Sequence, residues 1–436
     1  MGHLGHLKEE HRSLLRRLEA GQVGFPEPEA ERAWQGMKEI LEILFTPEHA
    51  ALAARMPLLP ATLEQLEGRF GVPAAELKPK LDAMCDRGLV FDVVSPRSGT
   101  VRYVLAPPVV GFFEMSMMRV PDTLPRKRLA EALEAYCRGD DAFVREVFGH
   151  ETVLGRALAH ETAIDDGLPE VLDWERASAI LGDARVRSVT QCYCRHKAEH
   201  LGERCSAPME ACLAVDAGAD FIIRRGFGRA IGRAESLEIL AQARAAGLVQ
   251  LADNVQHRPT WICNCCGCCC EQLRAISEYG LPAVNPSGFL PRHDDATCKG
   301  CSRCARACPT LAITMGARRQ TARLKNQLAP VVDEERCIGC GVCADACPQH
   351  ALRLERRGPQ PHVPANTIER VIRMALERGR LGHVFDEGAG RGGRMLNDLF
   401  SAMLRLGPVQ RALASEQVKS RFVRAALSNV RDPTTQ

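Results

Sequence analysis

Along the first third of the chain, apolar residues recur at helical spacing and then switch to alternation. Residues 34–55 carry Trp34, Met37, Ile40, Leu41 and Leu44 on one side, which predicts an amphipathic helix. Thr62 stands where an N-cap is needed for a short helix over 63–70, and Gly71 is a natural stop. Residues 72–88 predict a second helix with Leu77, Leu81, Met84 and Cys85 on one face, although Pro79 is awkward outside a first turn. The pattern then becomes period two. Residues 89–94 and 100–105, joined by Ser95-Pro96-Arg97-Ser98-Gly99, predict a β-hairpin. The apolar run 107–115 is short and suits core packing or an interface. Helical periodicity returns over 126–136, 142–148 and 173–181, and again over 234–247, where Gly247 closes the pattern. Three short apolar stretches, 311–315, 331–333 and 351–354, predict strands of a small antiparallel sheet. Beyond them, Asn366 or Thr367 caps a helix through Glu377. Helices are also expected over 395–406 and 409–428, the second basic and suited to partner docking. The glycine-rich 388–394 lacks the Lys-Ser/Thr ending of a phosphate-binding loop and reads as a linker.

The helix–turn–helix and hairpin over 56–105 resemble a winged-helix domain, which implies DNA recognition through the second helix or a docking role. That helix offers Lys78, Lys80 and Arg87 against Glu76, Asp82 and Asp86. A DNA reader needs a clear basic excess, so the charge balance favours docking or scaffolding over nucleic acid.

Composition narrows the classes further. The 436 residues are 45% hydrophobic, enough for real cores and two to four domains. Net charge is +3 and aromatic content 5%, which supports neither a polyanion partner nor base stacking. No apolar run reaches membrane-spanning length, so no membrane span is expected. Twenty cysteines without an export-type start point to a reducing, cytoplasmic setting in which thiols bind metal.

Eight of those cysteines form two copies of one pattern. Cys298, Cys301, Cys304 and Cys308-Pro309 are followed by Cys337, Cys340, Cys343 and Cys347-Pro348 at the same spacing. A C-x-x-C-x-x-C run supplies three converging thiolates from one loop, and the fourth comes from the other motif. By that rule Cys298, Cys301, Cys304 and Cys347 hold one [4Fe–4S] cluster, and Cys337, Cys340, Cys343 and Cys308 hold a second. Gly300, Gly339 and Gly341 let backbone pass close to an inorganic core. Over residues 291–357 the chain resembles the two-cluster bacterial ferredoxins, which implies a βαββαβ-type domain and one-electron transfer. It departs from them in a long basic stretch, 318–325, that suits an acidic partner.

A second cysteine district lies upstream: Cys192-Tyr193-Cys194-Arg195-His196 with Cys205 and Cys212, then Cys263-Asn264-Cys265-Cys266-Gly267-Cys268-Cys269-Cys270. Six cysteines in eight positions are not an ordinary core, and adjacent thiols oxidise unless something holds them. Metal is the simplest stabiliser. One or two further iron–sulfur clusters are expected, with zinc as the competing metal and no assignment of ligands to centres. His196 and His200 are candidate nitrogen ligands, but a solvated helix face suits both better. Cys85 and Cys137 read as structural thiols. The Cys265-Cys266-Gly267 step resembles the Cys-Cys-Gly motifs of heterodisulfide-reductase-type subunits, without the rest of that pattern. The paired runs over about 105–357 resemble more closely a family of larger bacterial ferredoxin-type proteins.

The expected fold class is α+β multidomain and mostly helical. It comprises N-terminal helices (1–55), a winged-helix-like domain (56–118), a cysteine-rich helical middle domain (119–290), a two-cluster ferredoxin domain (291–357) and a helical tail (358–436). The expected function is single-electron transfer with a redox partner protein. Two competing readings are a redox-responsive winged-helix regulator and a reductase subunit with its substrate site at the upstream cysteines. No catalytic residue is assigned.

Overall fold

The computed structural model describes residues 7–118, 124–164, 171–317 and 328–380. The basic stretch 318–325, the glycine-rich 388–394 and the helices expected over 395–406 and 409–428 lie outside the described residues. The chain mixes helix and strand and divides into two compact units. The first comprises Met1–Thr152, Arg224–Phe227 and the chain from Ala365 onward; the second comprises Val153–Ile223 and Gly228–Pro364.

In the first unit, α1 (Glu9–Glu19) precedes two helices where 34–55 predicts one: α2 (Glu31–Leu44) and α3 (Pro47–Ala53). The break is local chemistry. Phe45 turns extended, Thr46 accepts a bond from the His49 amide at 3.1 Å, and Pro47 starts the new helix. Thr62 and Gln65 form a reciprocal capping box on α4 (Leu63–Phe70), which Gly71 ends in the left-handed region. Helix α5 (Ala74–Asp86) runs through Pro79 without one backbone bond. Strands β1 (Val90–Val94) and β2 (Val101–Leu105) form the expected antiparallel hairpin. The apolar run continues into α6 (Phe113–Met118) and is core: Phe112 and Phe113 pack with Phe25, Phe45, Tyr136 and Phe143. Helices α7 (Arg126–Arg138) and α8 (Ala142–Phe148) match their periodicity, as does the Asn366-capped helix Thr367–Glu377. Cys85 and Cys137 are buried here, as expected.

The second unit corrects the expectation of a helical middle domain. It is built on a seven-stranded sheet: β3 (Gly155–Leu158), β4 (Arg187–Gln191), β5 (Glu210–Val215), β6 (Arg229–Ala230), β7 (Val249–Asp253), β8 (Trp261–Cys265) and β9 (Val284–Asn285). The order is β6-β4-β5-β8-β7-β3-β9, antiparallel except for the β3–β9 pair. The strands hold two to six residues each, too short for a strong alternation signal, and cysteine occupies several inward positions. Between and around them lie α9 (Ala177–Asp183), α10 (Tyr193–His200), α11 (Asp216–Arg224), α12 (Arg233–Ala245) and α13 (Glu271–Tyr279). Val189, Leu213, Ile262 and Ala252 form one face of the sheet, closed by Leu181 of α9 and Leu240 of α12 in a shared apolar core. The alternate positions Cys212, Cys263 and Cys265 therefore fall on the other face.

The remainder of this unit runs β10 (Phe289–His293), α14 (Arg303–Ala307), β11 (Ile313–Ala317), β12 (Leu328–Val332), α15 (Val342–Asp345) and β13 (Leu352–Arg356). The three predicted stretches form β11, β12 and β13, but in two separate antiparallel pairs rather than one sheet: β11 with β12, and β13 with β10, which the apolar pattern did not predict. It packs on the segment after β3. Ala159, Ala163 and Ile164 share a core with Phe289, Ile313 and Leu354, and the His160 amide donates to the Cys340 carbonyl at 3.0 Å. Glu175 and Arg356 add a bidentate pair at 2.6 and 3.0 Å.

Candidate metal centres

The two cysteine loops of the β10–β13 region are a structural repeat offset by 39 residues. Asp294 and Asp333 each accept the amide of the first cysteine, Cys298 or Cys337, at 2.9 Å. The amides of Ala312 and Ala351 point back at Cys308 Sγ and Cys347 Sγ at 3.2 and 3.4 Å. Gly300 matches Gly339 in the left-handed region; Ser302 matches Gly341, and Leu311 matches His350. Three of these six positions are not glycine, so the turn geometry was only half visible in composition. Amide donors aimed at sulfur favour thiolate and a bound cluster.

Cys308, Cys337, Cys340 and Cys343 line one small cavity, together with Ile313, Thr310 and Pro291. No carboxylate, imidazole or cationic side chain intrudes on it. Four sulfur donors around an otherwise apolar space fit an iron–sulfur cluster. Burial pushes the Cys337 thiol up to about 11 and Cys340 up to about 12. That is the cost of placing negative sulfur in a dry site, which the nearby Arg357 guanidinium offsets only in part at Cys337. Around Cys304 the nearby sulfurs are those of Cys298 and Cys347, and Cys301 is exposed at the rim. Cys308 thus lies with the first three cysteines of the second loop, and Cys347 lies near Cys304 of the first.

The ten upstream cysteines separate into two sets. Cys212 lies directly across from Cys263 in the β5–β8 register, and Cys265 follows two positions along the same face. Cys192 is the N-cap of α10 and Cys270 the N-cap of α13, with Cys194 in the first turn of α10. These six form a closed ring of sulfur contacts in the order 192, 194, 270, 265, 263, 212. The contacts shift neighbouring thiols in opposite directions. Contacts from Cys194 and Cys212 hold Cys192 well below an ordinary thiol; those from Cys194 and Cys265 do the same for Cys270. Contacts from Cys212 and Cys265 lower Cys263 to about 6. Cys194, Cys212 and Cys265 are raised by the same contacts. Three thiol protons cannot serve six contacts.

Cys205, Cys266, Cys268 and Cys269 form the second set, with all four sulfurs within 4.8 Å of one another. Cys205 thus joins the downstream run, while its near neighbour Cys212 joins the sheet. Arg195 stands between the sets. It is fully buried, donates twice to the Asn264 carbonyl at 3.1 Å, and reaches Cys266 Sγ at 3.8 Å. A buried pair, Lys197 Nζ to Glu271 Oε1 at 2.5 Å, ties α10 to α13 and so fixes the two capping cysteines. Sequence reading gave Arg195 and Lys197 no role; the signal was a cation lodged among cysteines. His196 is buried, contrary to the solvated face expected, with its Nε2 3.2 Å from that of His200. Neither histidine joins the four-sulfur group.

Residues 297–359 match the family described as 4Fe-4S dicluster domain. Comparison with curated proteins and with solved structures finds no match. The chain therefore carries a ferredoxin-type iron–sulfur domain and is a metal-binding protein. Among the described residues, no helix is long and apolar enough to cross a membrane.

Proposed function

We propose that this chain is an iron–sulfur electron-transfer protein that passes single electrons to or from an oxidoreductase partner. The observation that carries the reading is the cavity shared by Cys308 with Cys337, Cys340 and Cys343, which supports the crossed ligand rule. One [4Fe–4S] cluster would be held by those four and the other by Cys298, Cys301, Cys304 and Cys347. When bound, the clusters supply the one-electron couple. The protein's part is to crowd the two sulfur sets together, aim amides at them and exclude water. The ring of Cys192, Cys194, Cys212, Cys263, Cys265 and Cys270 would hold a further cluster. Gly267 supports contact between the districts: a Cβ there would come within 2.9 Å of the Pro309 carbonyl oxygen, next to Cys308.

Two competing readings lose ground. If α4, α5 and the β1–β2 hairpin are a winged helix, its cations are already engaged. Lys78 pairs with Asp82 at 2.6 Å, Lys80 with Glu48 at 2.9 Å, and Arg87 donates to the Ile43 and Leu44 carbonyls. That supports docking over phosphate binding. A substrate site in the ring is disfavoured because Cys192, Cys212, Cys265 and Cys270 are buried.

The test is iron and acid-labile sulfide per chain, with EPR of the dithionite-reduced protein. The expected result is at least about eight irons with matching sulfide. Colourless, folded protein holding only zinc would falsify the reading. Binding to duplex DNA that weakens steeply with salt and depends on redox state would favour the regulator instead.

A further inference from the structure

The upstream cysteines need not all serve one kind of centre, and their spacing separates two kinds. A single tetrahedral ion with metal–sulfur bonds of about 2.3 Å holds its sulfurs about 3.8 Å apart, edge to edge of the tetrahedron. The Cys205–Cys266, Cys268–Cys269 and Cys269–Cys205 separations are 3.7, 3.5 and 3.9 Å. All four sulfurs lie within 4.8 Å of one another. A cubane puts a different iron behind each thiolate, so its four cysteine sulfurs stand outside the corners and much farther apart.

The chain supplies its own comparison. None of the eight cysteines in the dicluster motifs belongs to such a tight group, and among the described residues no other set of side chains does. The ring of six also fails to place any three sulfurs that close. The surroundings agree with a compact, negatively charged site. Four thiolates around a divalent ion leave two negative charges, and the buried Arg195 lies 3.8 Å from Cys266 Sγ. Arg195 Nε is itself buried with no hydrogen-bond partner, so the guanidinium is only partly satisfied by the carbonyl it binds. The turn Cys266–Cys270 is closed by the Cys270 amide on the Cys266 carbonyl at 3.2 Å. That turn brings three of the four sulfurs from one loop and leaves only Cys205 to complete the set.

We propose that Cys205, Cys266, Cys268 and Cys269 hold a single tetrahedral zinc or iron ion, separate from the iron–sulfur clusters of this chain. All four positions are filled by protein, so the centre is closed to substrate. It clamps the loop after α10 to the turn before α13. This rests on the reading that the upstream district binds metal.

The experiment uses anaerobically purified full-length protein. Zinc, iron and acid-labile sulfide are counted in the wild type and in the double variant Cys268→Ser/Cys269→Ser. The wild type should hold metal in excess of its sulfide. The variant should lose one ion per chain with sulfide unchanged and the reduced ferredoxin EPR signals intact. If the ion is zinc, X-ray absorption at its edge on the wild type should show four sulfurs at about 2.3 Å and no neighbouring metal. If it is iron, the oxidised protein should give the high-spin signal of an isolated ferric tetrathiolate. Loss of iron together with sulfide in the variant would overturn the single ion while leaving metal binding in the district intact. No excess metal in the wild type and none lost in the variant would overturn the single ion, and a total of no more than about eight irons would overturn metal binding in the district as well. The wild-type measurements decide the matter even if the variant does not fold.

Discussion

Gly339 is the sharpest single-atom test of the cluster loops. It sits between Cys337 and Cys340 with φ +66°, a region that costs a residue with Cβ about 1–2 kcal/mol. In addition, a Cβ at 339 would fall onto the Phe289 carbonyl oxygen and Ser287 Oγ, closer than real Cβ contacts come. Neither neighbour is free to yield. Ser287 donates to the Gly339 carbonyl at 2.7 Å, its amide binds the Ile338 carbonyl at 2.9 Å, and Phe289 starts β10. Forced overpacking adds about 1–3 kcal/mol, so Gly339→Ala should cost roughly 2–5 kcal/mol in all. The loop can escape only by moving Cys337 and Cys340 off their cavity. Iron and sulfide should therefore each fall by about four per chain, in proportion to one cluster. Gly71→Ala is the control. Gly71 has φ +65°, but nothing lies within 4 Å of its Cβ position, so that variant should cost about 1–2 kcal/mol and keep its iron. Chemical denaturation and metal analysis measure both. Equal stability losses with full iron in Gly339→Ala would refute the reasoning.

Cys308→Ser should remove the centre that Cys337, Cys340 and Cys343 share and spare the one beside Cys304; EPR of the reduced variant should change from two interacting clusters to one isolated cluster. Two intact clusters in that variant would rule out the crossing. Gly267→Ala should cost about 1–3 kcal/mol, because its Cβ would press on Pro309 at 2.9 and 3.1 Å, whereas Gly68→Ala in α4, with open space, should stabilise by about 0.5–1 kcal/mol in thermal melts. Glu146 is pushed up by burial but pulled down more strongly by His150, Arg380 and Arg378, to about 2. A carboxylate lowered by folding stabilises above its unfolded pKa and loses that contribution as pH falls through the folded value. Glu146 therefore adds at most about 3 kcal/mol, complete above about pH 4.5 and lost toward pH 2. Glu146→Gln should flatten the acid limb of the stability profile between those limits, and an unchanged limb would discount the ion pairs.

Local sequence carried the parts of this protein whose geometry is local. The Thr62 capping box, the Gly71 and Gly247 stops, the hairpin at 90–105 and the Cys-x-x-Cys-x-x-Cys loops each depend on residues within a few positions of one another. Short-range hydrogen bonding and backbone stereochemistry are enough to specify them. The middle of the chain lacks a strand signal because its strands are short and cysteines take alternate positions in β5 and β8, which blurs the hydrophobic alternation. Only tertiary structure could sort the ten upstream thiols. Cys212 meets Cys263 through strand register, and Cys205 meets Cys266 and Cys269 through a loop that folds back from α10. Two cysteines seven residues apart thus join different groups of sulfurs. Spacing along a chain constrains donors within one loop, but which loops converge is decided by the sheet that brings them together.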